Sequence, residues 1–551
     1  MNKFISCLDK RFCHHSYYND TARVMEINLN ELSHEKFKIK NIEICEEIDG
    51  VIFKIKYNSI KDVMEYFEHL LEGYDKETFI FYVKDISKTH LIFDKYIEEV
   101  LSDKVLYLLP HKDGKHYGIE IRSLTGFKKD LDNYSIEELQ KFMQYIYDTI
   151  FIPNHYFYLT VYQKLRKNME KEYKNSKIEV KSVIDQSKPI WPMYQELKKA
   201  KRGGLCFCHY PYTEIKDPVI GVDRTSAYPC DILFEKYPMS RWVFLDPNTW
   251  KNYIDDDKYC SLGTYEINYD SNFDHYLSNV YAAETERMLP RGINQTVELT
   301  LTNIDIKLLK LILDIREIKC KKLFICKADY LPDYVCNLII EMYKRKKQAK
   351  EDHVEKYIYD QIKLELNSVT GNLQRGADTF EEFKTLQECI NPSWGVWLTA
   401  YSRLHLIELA VELDDKFYGD TDSIFCDDNV KNRNKIATAN LELLNKIRFI
   451  CKKRNWDIDL LGGIGKFDIE HEIKSFCANR TKQYGYICND GEEIVKASGY
   501  KKNSITYEQL RTKKMPPMEI ELYYKIDDDI FSTTLSREEY LLMKEQSKKG
   551  Y

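Results

Sequence analysis

The sequence predicts an α+β fold divided among several domains. The chain has 551 residues, too many for one ordinary domain, and this length suggests about three or four folding units. Strand-like and helix-like segments follow one another in runs, which is typical of an α+β chain. Apolar residues make up 43% of the sequence and charged residues 31%, as in soluble proteins with large cores.

The N-terminal third mixes both kinds of element. Residues 41–58 contain the alternating apolar stretches of a hairpin. Residues 59–75 have apolar side chains at helical spacing, and 79–83 form an apolar run typical of a buried strand. A capping pattern opens a predicted helix over 135–151. The polar, charged segment 167–189 then predicts a domain boundary.

The remainder of the chain combines a few strands with longer helices. An apolar strand within 217–229 turns at Asp223, and residues 417–425 predict a hairpin. Apolar side chains at helical spacing predict helices over 302–315, 332–350, 354–372 and 395–413.

Two aspartates occupy the tight turn of the predicted hairpin. Asp420 and Asp422 lie in the sequence Tyr-Gly-Asp-Thr-Asp-Ser, and Asp223 can add a third carboxylate from the end of another strand. Mg²⁺ prefers such hard oxygen ligands, and phosphoryl transfer uses two divalent cations held close together. A second Asp-x-Asp occurs at Asp457 and Asp459, where a solvated acidic turn is the simpler interpretation.

Three further residues are candidate substrate ligands, namely Tyr228, Arg345 and Lys363. Tyr228 follows Asp223 by five residues, and its ring could exclude a sugar 2′-hydroxyl; a core Tyr beside a turn is the alternative. Arg345 and Lys363 suit triphosphate binding. On one straight helix they would lie about 27 Å apart, so sharing a groove requires the chain to fold back near 351–353.

Composition limits the other functional classes. The net charge of −6 does not itself indicate nucleic-acid binding, although local basic patches matter more than the sum. We expect no membrane contact, since no apolar run reaches the length of a spanning helix, and no signal peptide. Scattered cysteines without a CxxC pair favour a reduced, cytoplasmic chain. A weak zinc hypothesis rests on Cys7, Cys13, His14 and His15.

Several segments together resemble the family B DNA polymerases that start from a protein primer. DRTSAYP, KLELNSVTG and YGDTDS follow the order of that family's motifs A, B and C. LTAYSR resembles its template-contacting helix, and GKFDIE and KQY resemble the motifs that close the palm and hold the primer. The long interval between motifs A and B leaves room for the insertion that docks a terminal protein. The resemblance covers residues 200–550.

The resemblance implies an α+β right-hand polymerase of palm, fingers and thumb, preceded by an RNase H-like exonuclease-type domain. The implied domains are an exonuclease-like domain, expected to be inactive, over 1–185; palm with motif A and the first priming insertion over 186–330; fingers with motif B over 331–372; palm with motif C and a short second insertion over 373–490; and thumb over 491–551.

It also implies the roles of individual residues. Two Mg²⁺, for which Mn²⁺ can substitute, would be held by Asp223, Asp420, Asp422 and the Arg224 backbone carbonyl. The residues implied to bind dNTP are Tyr228, Arg345, Lys363 and Asn367. Those implied to bind DNA are Arg202, Gly203, Gly204, Arg403, Lys482 and Tyr484. The implied partners are template-primer DNA, dNTPs and a terminal protein, in the cytoplasm of a bacterial host if a phage encodes the chain.

Three departures from the family pattern are present. Thr370 stands where motif B usually has a Tyr that packs against the nascent base pair. Arg202, Gly203 and Gly204 resemble the YxGG-type link between the exonuclease and polymerase domains, but Lys201 stands where this link has its first Tyr. Motifs B and C are also close together, which leaves only a reduced second insertion.

The exonuclease carboxylates are incomplete. The best alignment places Asn28 and Asn30 where the first motif needs acids, and leaves Asp94 and Asp148 as vestiges of the other two. A neutral amide cannot replace a carboxylate as a strong Mg²⁺ ligand, so we expect a retained fold without proofreading. An unrelated N-terminal module is the alternative.

Three functions remain open on the sequence alone. The first is protein-primed replication of a linear phage or plasmid genome. The second is a repair or translesion polymerase, which the missing motif B Tyr and weak proofreading also fit. The third is a non-catalytic DNA-binding subunit with a polymerase fold.

Overall fold

The computed structural model describes the chain in segments. These are residues 23–33, 36–48, 51–73, 78–102, 105–108, 118–124, 131, 134–150, 157–176, 187–216, 218–281, 289–384, 391–500, 503–526, 529–536 and 539–543. The hypothetical zinc ligands among the first 20 residues lie outside this described part.

The strands are numbered in chain order. They are β1 (Arg23–Ser33), β2 (Lys36–Ile48), β3 (Val51–Tyr57), β4 (Thr78–Val83), β5 (Ile97–Ser102), β6 (Val105–Leu108), β7 (Gly118–Ser123), β8 (Cys206–Cys208), β9 (Thr213–Ile215), β10 (Val219–Arg224), β11 (Lys236–Pro238), β12 (Val243–Leu245), β13 (Tyr259–Ser271), β14 (Gln295–Thr302), β15 (Leu313–Tyr330), β16 (Lys416–Asp420), β17 (Ser423–Asp427), β18 (Phe467–Arg480), β19 (Gln483–Cys488), β20 (Glu493–Ala497), β21 (Glu519–Ile526) and β22 (Asp529–Ser536).

The helices are numbered in the same way. They are α1 (Ile60–Gly73), α2 (Ile86–Ile92), α3 (Ile136–Ile150), α4 (Phe157–Ser176), α5 (Trp191–Ala200), α6 (Ala227–Phe234), α7 (Lys251–Ile254), α8 (Asn303–Ile312), α9 (Asp333–Glu351), α10 (Lys356–Leu373), α11 (Phe380–Lys384), α12 (Pro392–Glu412), α13 (Val430–Arg454), α14 (Ile458–Leu461) and α15 (Tyr507–Arg511). Short 3₁₀ turns occur at Asp94–Tyr96, Pro247–Thr249 and Phe273–Tyr281.

The chain divides into two compact units. The first comprises Met1–Val161, Ala349–Glu365 and Pro516–Tyr551, and the second comprises Tyr162–Gln348 and Leu366–Met515. The residues predicted to form the thumb therefore contribute to both units.

The first unit is built on a nine-stranded sheet of order β21-β22-β2-β1-β4-β7-β6-β5, with β3 on β2. Strand β1 pairs antiparallel with β2 and parallel with β4. Helix α1 contributes Val63 and Phe67 to the core, where Phe67 lies 4.7 Å from the Phe81 ring. The expected hairpin, helix and buried strand over 41–83 are confirmed as β2–β3, α1 and β4.

The expected start of α3 is also confirmed. The backbone N–H of Glu138 donates to the Ser135 hydroxyl at 3.2 Å, and the Ser135 N–H donates to the Glu138 carboxylate at 2.8 Å. This reciprocal pair satisfies two of the N–H groups that the first turn leaves without helical partners.

The second unit contains an eight-stranded sheet of order β20-β19-β18-β10-β17-β16-β8, with β9 on β18. Four residues of β10 in succession are buried, from Val219 to Val222, because the strand lies in the interior of the sheet between β17 and β18. Burial falls at its end, at Asp223. The predicted hairpin over 417–425 is confirmed as β16 and β17.

A second sheet of five strands, β11-β15-β13-β14 with β12 on β15, follows in the same unit. The helix expected over 302–315 is shorter than predicted, since α8 ends at Ile312 and β15 begins at Leu313. Residues 313–315 pair with β13 instead, at Ser271, Asp270 and Tyr269. Sheet pairing therefore overrides local helical spacing here.

The expected break between the helices predicted over 332–350 and 354–372 is confirmed. Helix α9 ends at Glu351, His353 has φ +50°, and α10 begins at Lys356. A left-handed residue cannot continue an α-helix, so the chain must change direction there. Across the part of the chain that the structure describes, helices long and apolar enough to cross a bilayer are absent.

Candidate active site

Three carboxylates meet at one edge of the eight-stranded sheet. Asp223 is the penultimate residue of β10 and lies directly opposite Ser423 of β17, and Ser423 in turn lies opposite Asp420 of β16. The backbone N–H of Arg224 donates to the Asp422 carbonyl at 2.8 Å, which ties the two strand ends together. Since Asp223, Asp420 and Asp422 are all half-buried, this edge concentrates negative charge within reach of solvent.

The Tyr484 hydroxyl lies close enough to all three carboxylates for their charges to affect its pKa. Burial is the main cause that raises the pKa of this phenol, and the charges of Asp420, Asp223 and Asp422 raise it further. The ring packs 4.5 Å from that of Tyr418, which places it against the hairpin that carries the acids.

Close packing fixes the hairpin turn. Thr421 has φ +65°, and its N–H donates to the Leu205 carbonyl at 2.7 Å. A Cβ added at Gly204 would lie 2.8 Å from the Thr421 Cγ2, and one added at Gly419 would lie 2.3 Å from the Phe207 ring. Both glycines are therefore required where the link and the turn come into contact.

Lys482 neutralises part of the acidic edge. Its ammonium forms an ion pair with the Asp420 carboxylate, which also accepts a bond from the Cys206 thiol at 3.3 Å. Although burial lowers the pKa of Lys482, its bond to Asp420 raises it above the ordinary value. A cation thus lies directly beside a predicted metal ligand.

Tyr228 lies on α6, just beyond the turn that follows Asp223. The side chain is half-buried. Burial raises the pKa of its phenol, and the nearby charge of Asp422 adds to the effect. The ring is therefore a neutral surface close to the carboxylates.

The basic run on α9 reaches this turn through Lys346. Lys346 Nζ donates to the Ser226 hydroxyl at 2.8 Å, and Ser226 itself has φ +51°. Arg345 is half-buried and Lys347 is exposed. The Lys346 ammonium therefore binds the segment between Asp223 and Tyr228.

Helix α10 presents Lys363 and Asn367 one turn apart, and both side chains are exposed. Thr370, at the motif B Tyr position, is 5% exposed. A groove shared by Lys363 and Arg345 stays a prediction.

Arg403 lies away from solvent, contrary to a role in binding template. Its side chain is fully buried, with Nη1 donating to the carbonyls of Arg202 and Gly203 and Nη2 to Asp305 at 2.8 Å. This burial argues against direct contact with a template strand and gives Arg403 the role of holding the link. The same argument applies to Tyr484, which is 3% exposed.

Arg202 and Gly203 differ in exposure. The Arg202 guanidinium donates to the carbonyls of Ala200 and Thr300 and lies over the Tyr281 ring, 5.0 Å from its centroid. Gly203 is exposed. Of the predicted DNA contacts, Gly203 and Lys482 are the ones with exposed positions.

A charged network behind Asp223 was not anticipated from the sequence. Asp231 binds Arg224 through both oxygens and also His405, whose other nitrogen lies 3.1 Å from Glu235. These acids raise the pKa of His405 to about 9, even though burial opposes this.

The three ligand-type side chains of this network, Asp231, Glu235 and His405, lie close enough to hold a metal ion. However, Arg224 already pairs with Asp231 and Lys446 with Glu235. Because these cations neutralise the carboxylates, we interpret the cluster as an ion-pair network.

No protein-family profile and no curated protein sequence matches the chain. Solved structures do. Phi29 DNA polymerase with primer-template DNA after translocation superposes with a TM-score of 0.66 at 13% identity, covering 94% of this chain and all of that one. Its ternary complex with primer-template DNA and incoming nucleotides superposes with a TM-score of 0.62 and covers 93% of this chain and 98% of that one. Its complex with single-stranded DNA superposes with a TM-score of 0.64 and covers 94% and 99%. The identity is 13% in both cases.

The chain has the fold of phi29 DNA polymerase. The predicted fold class, an α+β right-hand polymerase preceded by an RNase H-like domain, is thereby confirmed. The TM-score of 0.66 over nearly the whole chain establishes the fold, whereas an identity of only 13% leaves the chemistry to be argued from the residues.

The two glycines of the link provide a matched test of the packing against Thr421. We expect Gly204→Ala to lower the free energy of unfolding by about 1–3 kcal/mol, the usual range for overpacking. Gly203→Ala should have little effect, since a Cβ there meets nothing within 4 Å. Thr421→Ser, which removes the closest methyl group, should recover part of the loss in the Gly204→Ala background. Chemical denaturation measures the free energy of unfolding of the wild type, the two glycine variants and the Gly204→Ala/Thr421→Ser variant. Equal losses of stability for Gly203→Ala and Gly204→Ala would contradict this packing argument.

Proposed function

We propose that the protein is a DNA-directed DNA polymerase that joins nucleotides by two-metal nucleotidyl transfer. The observation that carries this proposal is the convergence of Asp223, Asp420 and Asp422 at one sheet edge, in a chain with the fold of a DNA polymerase. A non-catalytic subunit would gain nothing from keeping three like charges together, since their repulsion destabilises the fold.

The donor set fits the divalent cations that the proposal requires. Half-buried carboxylates, with the Arg224 carbonyl beside them, offer the oxygen ligands that Mg²⁺ prefers, and Mn²⁺ accepts the same ligands. When bound, two such ions lower the pKa of the primer hydroxyl and stabilise the charge on the transferred phosphate. Asp223, Asp422 and Asp420 are the residues that would hold them.

The surrounding residues would position the nucleotide and primer. Tyr228 offers a ring face under the sugar, where a 2′-hydroxyl would be excluded. Arg345 and Lys363, together with Lys346 beside the Asp223 turn, would bind phosphate oxygens, for which Arg gives a two-pronged contact and Lys a point charge. Asn367 would lie with Lys363 on the nucleotide side of α10. Lys482 would release Asp420 for metal binding and contact the primer strand.

Primer extension tests the proposal. With Mg²⁺, dNTPs and a primed template, we expect the wild-type chain to add nucleotides and Asp422→Ala to lose activity by about 10³-fold or more, as for removal of a principal transition-state stabiliser. Asp459→Ala is the matched control, because Asp459 belongs to the exposed Asp-x-Asp that caps α14. A wild-type chain that adds no nucleotide would refute the polymerase assignment.

The proposal includes initiation from a protein primer. Support comes from the fold shared with phi29 DNA polymerase and from the residues between motifs A and B, which form the five-stranded sheet and its connections. In the domain division predicted above, 186–330 would be the palm with this insertion. Replication of a linear phage or plasmid genome in a bacterial cytoplasm is the setting that fits.

Labelled nucleotide distinguishes protein priming from repair synthesis. Incubation of the chain with dATP and candidate terminal proteins, without DNA primer, should give a covalent protein–nucleotide adduct that Asp422→Ala does not form. Extension of DNA primers without any adduct would instead favour the repair polymerase.

We also propose that the N-terminal domain has lost proofreading. Along β1, the Asn28 amide donates to Asn41 at 2.9 Å, and the acid two residues earlier, Glu26, pairs with Lys84 at 2.8 Å. Asn30 and Asp94 are exposed, and the side chain of Asp148 lies outside the described residues. An amide pair and a neutralised acid provide too little charge to hold two divalent cations.

Excision of a mismatched primer terminus measures this loss. We expect the wild-type chain with Mg²⁺ or Mn²⁺ to remove a 3′ mismatch no faster than the Asp94→Ala variant. Metal-dependent excision that Asp94→Ala abolishes would show an active exonuclease.

A further inference from the structure

A buried ion pair between Arg224 and Asp231 joins the two ends of the turn that connects Asp223 to Tyr228. Arg224 Nη1 and Nη2 lie 3.1 Å and 2.8 Å from the two oxygens of Asp231, and the side chains are 3% and 1% exposed. Arg224 belongs to β10, whereas Asp231 belongs to α6. The pair therefore joins the strand that ends in a predicted metal ligand to the helix that carries the predicted sugar-facing ring.

The backbone of the same residue is tied to the opposite side of the site. The Arg224 N–H donates to Asp422 at 2.8 Å, and its Nε donates to the Gly465 carbonyl at 3.2 Å. Gly465 donates its own N–H to the Thr225 carbonyl at 2.6 Å. Arg224 thus links three elements, namely the Asp422 turn, the segment before β18 and α6.

A second layer holds Asp231 itself. His405 Nδ1 lies 3.0 Å from Asp231, its Nε2 lies 3.1 Å from Glu235, and Glu235 is paired with Lys446. The Tyr237 hydroxyl donates to the Asp231 carbonyl at 3.0 Å. Asp231 is thereby held at its carboxylate by His405 of α12 and at its backbone by Tyr237, while Lys446 of α13 holds Glu235, the other partner of His405.

Stability alone does not account for such an arrangement. Desolvation of two charges costs several kcal/mol, and apolar side chains of similar volume often serve a fold equally well. What a two-pronged guanidinium–carboxylate contact adds is direction, because it fixes both the separation and the orientation of the two groups.

We propose that Arg224 and Asp231, braced by His405, form a positioning pair that holds Asp223 and Tyr228 in one relative geometry for metal and nucleotide binding. The inference rests on the proposed polymerase function and assigns to that site a support from the Arg224 side chain, Asp231 and His405, none of which is a predicted ligand group. Asp231 and His405 act through Arg224 and are positioning residues.

Metal affinity gives a readout that does not depend on polymerisation. Mn²⁺ binding to the full-length chain is followed by the electron paramagnetic resonance signal of free Mn²⁺, and the part lost in Asp422→Ala defines the site. We expect Asp231→Asn to weaken that part about tenfold or more. In primer extension it should lower kcat about 10–100-fold, the effect of a small misplacement of reacting groups, with a smaller change in the KM for dNTP.

Two further variants separate positioning from folding. Asp428→Asn is the matched control, since Asp428 also binds an arginine, Arg433, through both oxygens but lies just past the opposite end of β17. It should leave Mn²⁺ affinity unchanged. The double variant Arg224→Met/Asp231→Leu should regain the wild-type unfolding midpoint, because no buried charge is left unpaired, yet keep the weakened Mn²⁺ affinity and low kcat.

A folded Asp231→Asn or double variant with wild-type Mn²⁺ affinity would overturn the proposal, as would a wild-type chain whose Mn²⁺ binding does not change on Asp422→Ala. A chain whose Mn²⁺ binding depends on Asp231 but that extends no primer keeps the positioning pair and refutes the polymerase function instead.

Discussion

Mutual repulsion among Asp223, Asp420 and Asp422 is the constraint on which the surrounding structure depends. Three carboxylates at one sheet edge repel one another, and each prefers water to a partly buried site. The fold positions the backbone that carries them through hydrogen bonds, since the N–H groups of Arg224 and Asp422 donate to the carbonyls of Asp422 and Asp420. Lys482 and the Cys206 thiol also contact one oxygen of the Asp420 carboxylate, which offsets part of the repulsion.

The turn that carries Asp420 and Asp422 packs closely against residues 202–205. Leu205 accepts from the Thr421 N–H, and Gly204 lies where any side chain would collide with Thr421. Arg403, buried and bonded to the carbonyls of the link, keeps this segment in place from the other side. Gly204 is therefore explained by close packing against the turn that carries Asp420 and Asp422, whether or not it also touches DNA.

The sequence predicted local features whose causes are local. The hairpin around Asp420, the cap at Ser135 and the helix break at His353 each follow from a few adjacent residues, and the structure has all three. The convergence of motifs was also predicted, because their order matched a known pattern.

Features that depend on distant residues could not be predicted in this way. Helix α8 stops at Ile312 because the next residues pair with β13, and the hairpin β21–β22 joins the N-terminal sheet by pairing with β2. Arg403 is expected on a DNA surface from its motif alone, and only the position of Asp305 reveals that it is buried. The Asp231–His405 contact joins residues 174 positions apart, and their spacing carries no periodic signal.

The nine-stranded and the eight-stranded sheet balance charge in different ways. In the second unit Asp223 and Asp420 lie at or beside the ends of strands that are otherwise buried, and nearby cations bind one oxygen of Asp420 or the Ser226 hydroxyl. In the first unit β1 carries an amide pair at Asn28, and one of its acids, Glu26, is paired with Lys84. An amide pair and an ion pair carry no net charge and need no bound ion, whereas the three carboxylates near Asp223 repel one another and would be stabilised by cations. This contrast is the one expected under the proposed function, in which synthesis is kept and proofreading is lost.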